Sequence, residues 1–376
     1  MMEWWFHAPL VLWCVWVLAV GLGVGSFVNV LIARLPYEKS VVWPNSRCFT
    51  CFQPIRLSDN LPIVGYLRLR GKCRNCKTPF SPSYLGVEVF VGVLFLAVFL
   101  IECVSQVTNG PDFIKPWTYT PGLKFSYLSP LPVPPIEVGI YWAGHCFLVA
   151  ALVAAALIDA RHQIIPTQIT YVGTAVGILL STLFPWPWPS LGVPLGPNAA
   201  TVPWADSAAL QRIPTGLMLW PCWGPLPDWA PAGSWQLGLL SSLVGAAFGM
   251  GLVRLVKFLF EVGLGKEALG LGDADLLMMV GAFLGWQVVF FGFFFGAVAA
   301  LAMKIPLMLL DAIRRRPASG ELAFGPGLAV GVVVAWFAWP WLGEPARVLF
   351  EPLALAVVAV AMTGGMLIAG LLLRRN

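Results

Sequence analysis

Charge is what this chain has least of. Asp, Glu, Lys and Arg make up 11% of its 376 residues, against about 25% in a typical soluble domain, while 59% of residues are hydrophobic. A soluble globule of this length cannot hide so much apolar surface, so that class is excluded. No low-complexity tract or internal repeat stands out, and no glycine-rich phosphate loop of the usual soluble type is visible. A cleavable signal peptide is also missing. The first apolar stretch is too long for one, with no basic residues before it and no small-residue cleavage site after it. It reads as a first membrane span.

The hydrophobic residues come in long, nearly charge-free blocks: Pro9–Arg34, Tyr84–Ile101, Val138–Ile158, Thr167–Phe184, Gln236–Val253, Leu276–Met303, Phe324–Trp341 and Pro352–Leu373. About 20 apolar residues carry a helix across a bilayer. Leu276–Met303 is long enough for two short passes if it turns near Gly285 or Gly292. The expected fold is an all-α polytopic membrane protein of about nine transmembrane helices.

Lys and Arg set the orientation, because cytoplasmic loops collect them. Lys39, Arg47, Arg56, Arg68, Arg70, Lys72, Arg74 and Lys77 all lie between the first two blocks. With that loop inside, only Lys115, Lys124, Arg212 and Arg347 of the 23 basic residues fall outside. The expectation is an N-terminus outside and a C-terminus in the cytoplasm. The net charge of +5 then follows from topology and requires no nucleic-acid partner.

The expected organisation is a first span over residues 1–36, a cytoplasmic loop over 37–83, and a second span with an outer loop over 84–137. A membrane core follows over 138–322, with C-terminal spans over 323–376. The core carries an outer insertion at 185–235, rich in proline and tryptophan. Proline forbids regular helix there and tryptophan favours the membrane interface. The insertion reads as an irregular cap on the outer leaflet, with a partner-docking surface as the alternative.

Cys48-Phe-Thr-Cys51 and Cys73-Arg-Asn-Cys76 suit a four-thiolate zinc site, each pair giving two ligands from one tight turn. Nearby Lys and Arg favour the thiolates. Two disulfides are the alternative, but the cytoplasm keeps thiols reduced. Four thiolates leave no open position for water, so the expected role is structural. Cys14, Cys103, Cys146 and Cys222 have no such spacing; Cys103 and Cys222, both expected outside, have the option of pairing.

Two aspartates border apolar runs at what the topology makes one membrane face, Asp159 at the end of a run and Asp273 just before the block that opens at Leu276. Asp159 closes Ala-Ala-Ala-Leu-Ile-Asp, and Asp273 lies in Gly270-Leu-Gly-Asp-Ala-Asp. Singly, Asp273 also reads as a helix cap after a glycine turn, and Asp159 as a solvated span end paired with Arg161. Together they suit aspartic-protease chemistry, in which one carboxylate activates water and its protonated neighbour polarises the substrate carbonyl. Gly270 and Gly272 would let an extended peptide approach closely.

These residues in order resemble the type IV prepilin peptidases, membrane aspartyl peptidases of the GxGD type, over most of the chain. The matching stretches are Gly25-Ser-Phe-Val-Asn-Val-Leu-Ile-Ala-Arg-Leu-Pro36, the two cysteine pairs with Asp59-Asn-Leu-Pro-Ile63 and Leu69-Arg-Gly-Lys-Cys73, and Tyr84 with Glu88. Asp159 with Ile165-Pro166, Gly270-Leu-Gly-Asp273 and Phe324-Gly-Pro-Gly complete the series. The resemblance implies removal of the basic leader from type IV prepilins or type II secretion pseudopilins at the bacterial cytoplasmic (inner) membrane. Asp159 and Asp273 would be catalytic, with Gly270, Gly272 and Asp275 in the substrate loop. It also implies N-methylation of the new terminus with S-adenosylmethionine. The implied partners are prepilin or pseudopilin precursors and the lipid bilayer.

One departure is Asp275, where the family commonly has Lys. It either adds a carboxylate beside Asp273 or points away along the helix. The rival readings are a transporter or channel using the aspartates as an ion or proton relay, which predicts carboxylates near mid-span, and an inactive assembly factor.

Overall fold

A computed structural model describes residues 3–104, 136–184, 229–230, 234–264, 270–314, 323–339, 342, 349, 353–354, 356–361 and 363–365. The outer insertion at 185–235 and the pairing of Cys103 with Cys222 therefore lie wholly or largely outside the described residues. These residues are helical: α1 Glu3–Arg34, α2 Val64–Arg68, α3 Ser83–Val98, α4 Ile136–His162, α5 Thr167–Leu183, α6 Trp235–Leu264, α7 Leu271–Ile313 and α8 Gly325–Phe337. Among the described residues the only β pairings are two isolated bridges. The expected all-α class holds.

Five helices are long and apolar enough to cross a membrane: Leu10–Tyr37, Ser83–Ile101, Gly139–His162, Trp235–Val262 and Leu271–Ile313. Thr167–Leu183, Gly325–Phe337 and Ala356–Gly365 are shorter apolar helices. Val11, Leu12 and Val15 on α1 are each more than half exposed. Water would penalise such a surface; a bilayer would not.

The chain forms two compact units, Met1–Ser105 with Trp117–Ile158 and Gln106–Pro116 with Asp159–Asn376. In the first, α1 and α3 cross closely. A Cβ on Gly21 would meet the Gly92 backbone, and one on Gly25 would meet that of Glu88. Asn29 Nδ2 then donates to the Tyr84 carbonyl at 2.9 Å. Trp142 of α4 packs on Trp16 and, edge-on, on Phe95.

Between α1 and α3 the loop folds as a short internal repeat. Cys48 N–H donates to Gln53 O (3.0 Å), Phe52 N–H to Cys48 O (3.0 Å) and Ile55 N–H to Ser46 O (2.8 Å). Twenty-five residues on, Cys73 N–H donates to Thr78 O (2.9 Å), Lys77 N–H to Cys73 O (3.1 Å) and Phe80 N–H to Gly71 O (2.7 Å). The bridges Arg47–Pro54 and Lys72–Pro79 close each turn. Phe52 and Lys77 both take positive φ, 55° and 60°. This ten-residue duplication is too short, and shares too few letters, to stand out in the sequence.

In the second unit α7 is broken at Gly285, whose φ of 79° and ψ of 170° are not helical. A straight helix would put residues 273 and 300 about 40 Å apart at 1.5 Å per residue. Instead, Asp273 is within charge range of Asp159, Asp159 is bonded to Gly325, and Gly327 abuts Ala300. The chain therefore reverses at Gly285, the first of the two glycines expected to allow a turn, and the arms 271–284 and 286–313 run back to back in direction. On the first arm Gly281 touches Gly245 of α6, backbone against backbone. Small residues permit such contact, the usual route to tight helix association in lipid. Ser181 of α5 donates its hydroxyl to Ala282 O at 3.0 Å. The second arm takes α8 along Gly292, Gly296 and Ala300.

Candidate active site and metal centre

The repeat described above brings the four cysteines together. Their sulfurs all lie within 4.8 Å of one another, with Cys48 to Cys76 at 3.6 Å and Cys51 to Cys73 at 3.9 Å. A tetrahedron with metal–sulfur bonds of about 2.3 Å has edges of about 3.8 Å, whereas a disulfide needs about 2.05 Å. The four thiols are free, and the cluster can hold a metal ion. Backbone hydrogen bonding at Cys51 holds the Cys48 thiol below its ordinary value. Hydrogen bonding to the Thr78 hydroxyl, 3.3 Å away, and to the Thr78 backbone brings Cys76 down to about 6. Such thiolates are the metal-binding form.

Ties outside the cluster brace it. Arg74 donates from Nε and Nη2 to the two carboxylate oxygens of Asp59, at 2.6 and 2.5 Å. This fork, the strong bidentate form, holds Asp59 below the usual carboxylate range. Glu88 of α3 accepts from the Ile63 N–H at 2.9 Å, where Ile63 has a φ of 58°. Arg34 at the end of α1 donates to Ser40 O (2.9 Å) and Pro44 O (2.6 Å), fastening the loop to the span.

In the second unit Asp159 and Asp273 converge. Asp159 sits three residues before the end of α4, and Gln163, at φ 55°, turns the chain toward Ile165-Pro166 and α5. Ile165 lies over Gly272, where a Cβ would come within 2.9 Å of the Ile165 Cβ. That close approach brings the start of α7 beside Asp159. Asp273 is the third residue of α7, and its Oδ2 accepts from the Gly270 N–H at 3.2 Å. The helix-capping reading of Asp273 is thus satisfied within the same arrangement, with the carboxylate at the favourable positive end of the helix. Asp159 and Asp273 are 7% and 6% exposed, and each carboxylate lies within electrostatic range of the other.

One partner went unassigned in the sequence. The Gly325 N–H donates to Asp159 Oδ2 at 2.9 Å, in a fully buried bond. Any side chain at 325 would strike Asp159, since a Cβ would lie 2.7 Å from Oδ2. Phe324-Gly-Pro-Gly was visible as a motif, yet nothing local in it says which side chain its backbone serves. Asp275 is buried and interacts with Arg254 of α6. Two residues along a helix is about 200° of rotation, so it faces a different neighbour from Asp273.

Residues 19–101 match the Bacterial Peptidase A24 N-terminal domain, and residues 208–305 match the Type IV leader peptidase family. The second match takes in Asp273 and begins after Asp159. A prepilin leader peptidase/N-methyltransferase of Myxococcus xanthus (strain DK1622) is 30% identical over 348 residues, covering 92% of this chain and 78% of the relative. Proteins of the same name from Pseudomonas putida (26%; 86% and 89% covered) and Pectobacterium carotovorum subsp. carotovorum (27%; 88% and 92% covered) are also similar. No solved structure matches. With four thiols gathered in one unit, two buried aspartates within charge range in the other, and likeness along nearly its whole length, the chain belongs to the type IV leader peptidase family of prepilin leader peptidase/N-methyltransferases.

Proposed function

We propose that the chain is a membrane aspartyl endopeptidase that removes the leader from type IV prepilins or type II secretion pseudopilins, with Asp159 and Asp273 as its catalytic pair. The observation that carries this reading is the burial of both carboxylates within electrostatic range of each other, where Ile165 packs on Gly272. With one proton held between them, the ionised member takes a proton from water as it attacks the scissile carbonyl. The protonated member donates to the carbonyl oxygen. The proton taken from water is then passed to the amide nitrogen, and collapse of the tetrahedral intermediate breaks the C–N bond, returns the shared proton to the pair, and releases the leader as a carboxylate and the mature pilin as an amine. Gly325 and Gly270 hold one oxygen of each carboxylate by backbone N–H groups, which fixes their orientation before substrate arrives.

In this reading the chain crosses the bacterial inner membrane nine times, with the N-terminus outside and the cysteine loop in the cytoplasm. A basic leader stays on that side while the pilin's apolar helix lies in the bilayer. The scissile bond is then at the depth of helix ends, where both aspartates sit. A transport relay would instead want carboxylates near mid-span. Cys48, Cys51, Cys73 and Cys76 hold zinc, which supplies no reaction step and ties the two turns together. The relatives' names include N-methyltransferase; for this chain we extend that to methylation of the new amine with S-adenosylmethionine as donor.

The test is processing of a co-expressed prepilin in membranes. Asp159→Asn and Asp273→Asn should each abolish leader loss while protein levels hold; processing by either variant at the parent rate would end the reading. Mass spectrometry of the pilin N-terminus decides methylation separately, and an unmethylated terminus with donor present would remove that part.

A further inference from the structure

A cavity of about 810 Å³ lies in the first unit between the cysteine loop and the ends of α1 and α3. Its size is that of a small-molecule site, and its charge is one-sided. Arg34, Lys39, Arg47, Arg56, Lys72 and Arg74 line it, against two acids, Asp59 and Glu88. Both acids are engaged, Asp59 by the Arg74 fork and Glu88 by the Ile63 N–H. Four thiolates around a divalent ion would add about two negative charges, which leaves the lining positive. Among the described residues Lys39, Arg47, Arg56 and Lys72 form no ion pair.

The opposite wall is membrane helix. Val30 and Ala33 of α1 and Leu85 of α3 line the cavity and belong to the apolar spans Leu10–Tyr37 and Ser83–Ile101. Trp43, also in the lining, is 71% exposed, and the hydrogen bonds from Arg34 to Ser40 and Pro44 hold it level with the end of α1. An exposed tryptophan, cations outside any ion pair among the described residues, and apolar span residues therefore meet in one space. A basic leader peptide has the wrong sign for it.

We propose that this cavity binds a phosphate ester, and that its source is the headgroup of an anionic phospholipid whose acyl chains lie along α1 and α3. Cytoplasmic leaflets rich in anionic lipid attract basic groups placed at their surface, and Arg and Lys bind phosphate through charge-assisted hydrogen bonds. The proposal stands apart from the peptidase reading, because binding is measured without any substrate.

The experiment is native mass spectrometry of the full chain in neutral detergent, titrated with phosphatidylglycerol, phosphatidylcholine or inorganic phosphate. The parent protein should retain phosphatidylglycerol at least about tenfold over phosphatidylcholine, the scale of one charge-assisted contact. The triple variant Arg47→Gln, Arg56→Gln, Lys72→Gln should lose that preference while keeping its metal content. If the triple variant loses its metal, the single variant Arg56→Gln decides, with a reduced preference expected. Equal retention of both lipids, or a preference unchanged in the decisive variant, overturns the proposal. Displacement of phosphatidylglycerol by inorganic phosphate at similar concentration overturns the lipid source and assigns the site to a soluble phosphate.

Discussion

Replacing Gly325 with alanine tests the site through the backbone that positions Asp159. The new Cβ would stand 2.7 Å from Asp159 Oδ2 and 3.1 Å from its Cγ, where ordinary contact begins at 3.4 Å. The carboxylate must therefore retreat by at least about 0.7 Å, and the 2.9 Å bond from the Gly325 N–H is stretched or lost. A displacement of about 1 Å costs on the order of 100-fold in rate when it misplaces a reacting group. A buried hydrogen bond to a charged group is worth roughly 1.5–3 kcal/mol, which converts to about 10- to 100-fold. The two routes agree, so Gly325→Ala should slow leader cleavage by about 10- to 100-fold, in kcat rather than KM. The assay is prepilin processing by purified protein over a range of substrate. Gly251→Ala is the control, because a Cβ there meets nothing within 4 Å, and its rate should be unchanged. Cleavage by Gly325→Ala at the parent rate, at equal protein level, would refute the placement of Asp159.

Further expectations concern the metal, the thiols and the packing. Purified protein should carry one zinc per chain, and cobalt exchanged into it should show the absorption of tetrahedral thiolate; metal-free protein lighter by the hydrogens of two disulfides would contradict this. In metal-free protein Cys76 should remain reactive to iodoacetamide down to a midpoint near pH 6, against about 8.5 for an ordinary thiol. Because folding lowers this value, the thiolate favours the folded loop fully above about pH 8.5, and the contribution fades as pH falls through about 6. A labelling midpoint near 8.5 would contradict the hydrogen bonds to Thr78. Gly281→Val should destabilise the second unit by upwards of about 3 kcal/mol, since even a Cβ there would collide with the Gly245 backbone and overpacking by side chains alone costs about 1–3 kcal/mol. A melting temperature equal to the parent's would show that α6 and α7 are not in backbone contact.

The helical class and the chemistry-bearing residues were legible because each announces itself over a short stretch. Apolar blocks mark spans, and the spacing Cys-x-x-Cys marks two turns that offer ligands. The reversal of Leu276–Met303 was legible only as a choice between Gly285 and Gly292, because both glycines allow a bend. The tertiary neighbours decide it: Gly292 is taken up in packing against Val332 of α8, and Gly285 alone leaves the helical region. Contacts that join distant segments were not legible. The Gly325 N–H serves a carboxylate 166 positions away, and nothing in Phe324-Gly-Pro-Gly encodes that partner. Asp275 faced two alternatives for the same reason; the nearby charge of Arg254 on α6 belongs to a distant segment that the local sequence does not name. The fork between Arg74 and Asp59 was hidden among eight basic residues of similar claim.

The most direct measurement is of proximity between positions 159 and 273 in the membrane. With Cys14, Cys103, Cys146 and Cys222 replaced by serine, Asp159→Cys and Asp273→Cys combined should be bridged by a short bifunctional thiol reagent, seen as loss of two free thiols without added mass from a second reagent. The bridge is expected in native membranes, absent from either single variant, and lost when the chain is unfolded first. Two independently labelled thiols in folded protein, with no bridge formed, would contradict the account.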